Sequence, residues 1–111
     1  MKKLFSLVFL LLLAGCSKPL PDDKLVYAGE WKSKEMYLLI LEDGTVSYQR
    51  LQRGGKTSIN GPLQEFIGDD FIVGLSFLTT TFNVSQPPTL SNGEWTIIVD
   101  GVKLKKTEED I

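Results

Sequence analysis

From residue 25 onward the apolar residues come in short runs, and turn-forming residues break them every eight to twelve positions. This rhythm limits the fold more than any other feature, because no run is long enough for a core helix. Several runs also alternate with period two, the spacing that sends successive side chains to opposite faces of a strand. Phe71, Val73, Leu75 and Phe77 share one face of residues 71–78, and Trp95, Ile97 and Val99 share one face of residues 94–99. The breaks carry turn chemistry. Glu42-Asp43-Gly44, Arg53-Gly54-Gly55-Lys56 and Gly68-Asp69-Asp70 each supply a glycine for positive φ, and Asp100-Gly101 fits a two-residue type I′ hairpin.

Nine short runs read as candidate strands, residues 24–31, 35–41, 45–52, 57–60, 63–67, 71–78, 80–85, 94–99 and 102–106, with Gly61-Pro62 splitting the two short central runs. Consecutive hairpins favour neighbours in sequence pairing in space. The expected class is therefore all-β: a small antiparallel meander forming a closed or partly open barrel of about 7–8 short strands. Its expected boundaries are residues 25–106, followed by a charged tail at residues 107–111. Residues 86–93 read as the longest loop and as the candidate binding loop, offering Gln86, Pro87, Pro88 and Asn92. Long loops in compact domains often carry function, and the proline pair would stiffen this one.

The first residues have a different character. Lys2 and Lys3 precede residues 4–14, which are apolar except for Ser6. Eleven helical residues span roughly 16 Å, about half of a hydrocarbon core, which suits a signal h-region and not a mature span. Leu13-Ala14-Gly15-Cys16 follows, and Cys16 is the single cysteine of the chain. This stretch resembles the lipobox of bacterial lipoproteins. The resemblance covers residues 1–16 and implies a signal peptide at 1–15, diacylglycerol on the Cys16 sulfur and acylation of the new amino terminus. More than one acyl chain is what makes such an anchor durable. In the enterobacterial pattern an Asp after the cysteine retains the protein at the inner membrane. Ser17 stands there instead, which implies an outer-membrane protein facing the periplasm. Residues 16–24, with Pro19, Pro21 and a charged end, read as an extended tether.

Without Lys2 and Lys3 the mature part holds 10 basic and 14 acidic residues, a formal charge of −4. Such a surface gives no electrostatic reason to bind nucleic acid. The chain has no histidine, so neither a Ser-His-Asp arrangement nor a typical zinc or copper site is expected, and no cofactor is expected. Glu42-Asp43 and Asp69-Asp70 are paired acids, each beside a turn glycine, and turn chemistry accounts for them. Arg50, Arg53 and Lys56 form a basic cluster around a hairpin tip, a pattern that discourages edge-to-edge aggregation.

Gly29-Glu30-Trp31 resembles the Gly-x-Trp near the start of lipocalins, where the Trp packs across one end of an up-and-down barrel. That resemblance implies the meander topology. Ligand carriage is the alternative function it brings, and an interior filled by Phe71, Val73, Phe82, Trp95 and Ile97 would oppose it. The function expected first is a non-enzymatic envelope lipoprotein, attached to a membrane through Cys16, that presents its β-domain to an envelope protein partner.

Overall fold

A computed structural model describes residues 18–107. The signal segment, Cys16 and residues 108–111 of the tail lie outside the described residues. The described chain opens with a 3-10 helix, Asp22–Tyr27. Nine strands follow: β1 (Gly29–Lys32), β2 (Met36–Ile40), β3 (Thr45–Gln52), β4 (Gly55–Ile67), β5 (Asp70–Leu75), β6 (Leu78–Phe82), β7 (Val84–Ser91), β8 (Glu94–Val99) and β9 (Val102–Lys106). They form one antiparallel sheet in the order β6-β5-β4-β3-β2-β1-β9-β8-β7, curled into a half-barrel. The all-β meander is therefore what the chain adopts, and it is partly open. The first and last strands meet, Trp31 opposite Lys106. The opening lies instead between β6 and β7, which are consecutive in the chain.

Alternation decides which side chains enter the core. Met36, Leu38 and Ile40 of β2 are buried, as are Ile97 and Val99 of β8 and Val102 and Leu104 of β9. Trp31, at 0 % exposure, sits at the centre. Its indole N–H donates to the Tyr27 carbonyl at 2.9 Å, and the Lys106 ammonium lies 5.5 Å above its ring. One end of the half-barrel holds a run of aromatic contacts: Tyr27 against Phe66 at 5.0 Å, Phe71 stacked on Phe82 at 5.1 Å, and Tyr48 edge-on to Phe82 at 4.8 Å. Each such pair contributes roughly 0.5–1.5 kcal/mol beyond its burial.

Several boundaries differ from the sequence expectation, and residues 80–85 divide between the end of β6 and the start of β7. Residues 57–60 and 63–67 belong to one 13-residue strand, β4. Gly61-Pro62 does not end it but marks where it changes partner, from β3 through Pro62 to β5 from Leu63. Residues 24–27 are helical, so the first strand starts at Gly29. The tether is shorter than residues 16–24, because Leu20 is buried and its N–H donates to the Glu42 carbonyl at 2.9 Å. The tail is also secured at its start: the Thr107 N–H donates to the Glu30 carbonyl at 2.8 Å and its hydroxyl to the Glu30 carboxylate at 3.0 Å.

Candidate interaction surface

The seam between β6 and β7 is tied at one end only. The Asp70 carboxylate accepts the Val84 N–H at 2.6 Å, and the Asp100 carboxylate accepts the Asn83 N–H at 2.9 Å. The Asp100 N–H returns a bond to the Asn83 carbonyl at 2.7 Å. Beyond this corner, among the described residues, β6 and β7 each have a strand partner on one side alone.

The two edges differ in kind. β7 carries Pro87 and Pro88, which offer no N–H, and its register slips between Val84 and Gln86 and again between Gln86 and Thr89. Prolines and bulges blunt an edge against further pairing. β6 reads Leu-Thr-Thr-Thr-Phe, without proline or charge, and nothing in its sequence protects its outer side.

At the far end of β6 lies an apolar hairpin tip. Leu75 pairs with Leu78 across the two-residue turn Ser76-Phe77. Leu75 is 61 %, Phe77 85 % and Leu78 72 % exposed. Ser76 takes a left-handed φ of 55°. Gly74, at φ 138°, lies so close to the Leu78 carbonyl and the Thr79 backbone that a Cβ there would collide with both. The Gln64 side-chain amide braces the hairpin by donating to the Gly74 carbonyl at 2.9 Å. These contacts end β5 at Leu75. They turn Phe77 outward, where simple alternation would have placed it with Phe71 and Val73 in the core.

The expected binding loop is corrected in the same region. Gln86, Pro87 and Pro88 lie within β7, and Asn92 lies in the tight β7–β8 turn with φ 54°. Leu90 faces Trp95 and Thr89 faces Thr96 across the β7–β8 ladder, so these residues are strand and not loop. The prolines are accommodated because they sit at bulges on a sheet edge. The Gln86 side chain is occupied within the domain, its amide donating to the Thr96 hydroxyl at 3.0 Å.

The paired acids work as turn and seam fasteners. The Asp43 carboxylate accepts the Thr45 N–H at 2.9 Å, and the Asp69 carbonyl accepts the Tyr27 hydroxyl at 2.9 Å. Burial, with Asp69 and Asp70 close by, pushes the Tyr27 hydroxyl up to about 12. Glu30 is held below the usual carboxylate range, first by the hydrogen bond from the Tyr37 hydroxyl at 2.9 Å. The basic cluster is divided. Arg50 stands 3.8 Å from Glu35, while Lys56 joins Lys32, Lys34, Tyr37 and Leu51 around a shallow depression of about 290 Å³. Among the described residues no group of three or more Asp, Glu, His or Cys is placed to hold a metal ion. No buried side-chain nitrogen or oxygen among them lacks a hydrogen bond.

Sequence reasoning placed Phe77 on one strand face with Phe71, Val73 and Leu75 and so missed the tip. Ser76-Phe77 carries no Gly, Asn or Asp to mark a hairpin turn, and the one local clue is Gly74 inside an otherwise regular strand, a mark of close backbone approach. Compared with known proteins, the chain matches no family model, no curated protein and no solved structure.

Proposed function

We propose that this chain is a bacterial envelope lipoprotein, acylated at Cys16, whose β-domain is a non-enzymatic interaction module. Two features support the address: the apolar run of residues 4–14 and the lipobox-like Leu13-Ala14-Gly15-Cys16. Leu20 adds to it, because its docking holds the domain only four residues from the acylated position. Ser17 after the cysteine favours the outer membrane, facing the periplasm. The observation that carries the interaction reading is the β6 edge. It is unpaired on its outer side, β-branched and uncharged, and a partner strand can add to it through main-chain hydrogen bonds. The partner class that fits is an envelope protein with an extended segment.

A small-ligand carrier is less well supported. The interior is taken up by Trp31, Phe71, Phe82, Ile97 and Leu104, each at most 1 % exposed. A barrel of this size has room for its own side chains or one small ligand.

The test is to crosslink intact cells producing the full chain and to identify captured proteins by mass spectrometry, with two variants alongside. Cys16→Ala is expected to lose the acyl mass, the membrane fraction and the partner. Thr79→Lys, a charge on the exposed β6 edge, is expected to keep the anchor and lose the partner. An unchanged mass and membrane fraction in Cys16→Ala would sink the address. Equal capture by wild type and Thr79→Lys would sink the edge as the docking site.

A further inference from the structure

The tip formed by Leu75, Phe77 and Leu78 is the most exposed apolar feature of the described chain, and single exposed apolar residues need no explanation where a contiguous cluster does. We infer that this hairpin dips into the surface of the bilayer that holds Cys16, giving the domain a second, non-covalent membrane contact and a fixed orientation. The inference rests on the lipoprotein reading above.

Leu20 is buried and bonded to Glu42, and the Lys18 carbonyl packs against Gly44. Leu20 lies four residues after Cys16, and a fully extended chain covers at most about 3.6 Å per residue, so Leu20 is held within roughly 14 Å of the acylated cysteine and the Glu42–Gly44 turn lies beside it. The Gly44 carbonyl accepts the Leu63 N–H at 2.7 Å, and Leu63 pairs with Val73, two residues before Leu75. Two strand spacings, about 10 Å, therefore separate the turn that receives the tether from the root of the hairpin. The tip extends only a few residues beyond that root. Anchor and tip thus lie close enough to touch one membrane together.

The chemistry of the tip suits a bilayer. From Phe71 to Phe82 the chain carries no charged residue, so burial there desolvates no ion. The backbone is paired across the hairpin as far as Leu75 and Leu78, the Gln64 amide reaches the Ser76 carbonyl at 3.5 Å, and Gly74 and Gln64 hold the shape of the turn in advance. Interfacial segments bury their apolar face roughly 5–10 Å deep, a depth that a two-residue turn flanked by leucines can reach. Glu42 and Asp43 lie beside the tether, so the contact is apolar in origin and does not call for anionic lipid.

The experiment uses the full precursor, produced and processed in a bacterial host, purified, and reconstituted into vesicles of zwitterionic phosphatidylethanolamine and phosphatidylcholine. Phe77→Cys carries an environment-sensitive fluorophore. Lys103→Cys, on the exposed side of β9 and five strands from β5 in the sheet order, is the control. The acylated Cys16 sulfur does not take the label. Expected are a blue-shifted emission at position 77, quenching there by lipids carrying a shallow nitroxide, and neither effect at position 103. An acylated, vesicle-bound protein whose position 77 emits as in water overturns this inference and leaves the lipoprotein reading standing. A shift at position 77 that needs no vesicles and grows with protein concentration reports self-association and also overturns it. A free Cys16 thiol by mass spectrometry overturns the anchor and this inference together.

Discussion

The Asp70 carboxylate accepts the Val84 backbone N–H at 2.6 Å, joining β5 to the start of β7 past the unpaired edge of β6. This bond and those between Asp100 and Asn83 hold the mouth of the half-barrel at one corner. Hydrogen bonds to a charged partner contribute roughly 1.5–3 kcal/mol. Asp70→Ala is expected to lower stability by about that amount, read from the urea midpoint at unchanged slope. Asp70→Asn keeps an acceptor oxygen and is expected to lose less than half as much. Amide exchange at Val84 should accelerate in the alanine variant while the exchange of Leu38, deep in the sheet, follows only the global loss. If Val84 keeps its wild-type protection in Asp70→Ala, the seam is held by something else.

Gly74 has no room for a single added carbon. Its φ of 138° is costly for any L side chain, and a Cβ would strike the Leu78 carbonyl. Strain of this kind costs about 1–3 kcal/mol before the clash is counted. Gly55 offers the comparison, because a Cβ there meets nothing within 4 Å and its φ is not in the positive range. Gly74→Ala is expected to destabilise by more than 2 kcal/mol, roughly, while Gly55→Ala is expected to be neutral or stabilising by up to about 1 kcal/mol through the unfolded chain. Thermal unfolding of the two variants in parallel decides it. A harmless Gly74→Ala would mean that the hairpin relaxes freely, contrary to the braced geometry described above.

Two phenylalanines six residues apart should respond in opposite ways. Phe71 is 0 % exposed and packed between Tyr27 and Phe82, whereas Phe77 is 85 % exposed. Truncating a buried phenylalanine costs about 3–5 kcal/mol. Phe71→Ala is expected to fall in that range, and Phe77→Ser within about 0.5 kcal/mol of wild type, as for surface positions generally. Denaturant unfolding measures both. A large loss in Phe77→Ser would show that the tip is part of the fold and not a surface feature.

The contrast between Phe71 and Phe77 also shows how far the sequence could be read. Alternation placed Phe71, Val73, Ile97 and Val99 in the core, and the structure buries all four, while Trp95, expected on the face of Ile97, is only partly buried. Turn glycines located most hairpins, because Gly44, Gly54, Gly68 and Gly101 have positive φ where the chain reverses. What alternation cannot report is where a strand stops if no turn residue marks the place, and the Ser76-Phe77 turn is such a case. Pro87-Pro88 misled in the other direction. Proline argues against a strand in the middle of a sheet but not at its edge, and edge position is a property of the whole strand order, which local sequence does not contain. For the same reason the β6 edge and the tip became visible only once the order of strands was known.

Tyr27 links the cap of the half-barrel to alkaline stability. It is buried among Phe66 and Phe71, donates to the Asp69 carbonyl, and its hydroxyl is pushed up to about 12, first by burial and then by Asp69 and Asp70. A folded value above that of the unfolded chain, near 10, means that the folded state keeps the proton longer. The contribution is complete below about pH 10. It declines as pH rises toward 12, because the unfolded tyrosine ionises first. Two units correspond to a loss on the order of 2–3 kcal/mol. Tyr48 is raised as well, chiefly by burial, and adds a slope of the same sign. Tyr27→Phe is therefore expected to flatten part of the alkaline decline, not all of it. At neutral pH it should cost about 0.5–1.5 kcal/mol for the lost hydrogen bond. Urea unfolding at neutral pH and at several values between 10 and 12 gives the difference between wild type and variant. That difference should fall steadily as pH rises and change sign before about pH 12, leaving the variant the more stable of the two. A constant difference across the series would mean that Tyr27 ionises equally in both states, and that the cap does not seal it from water.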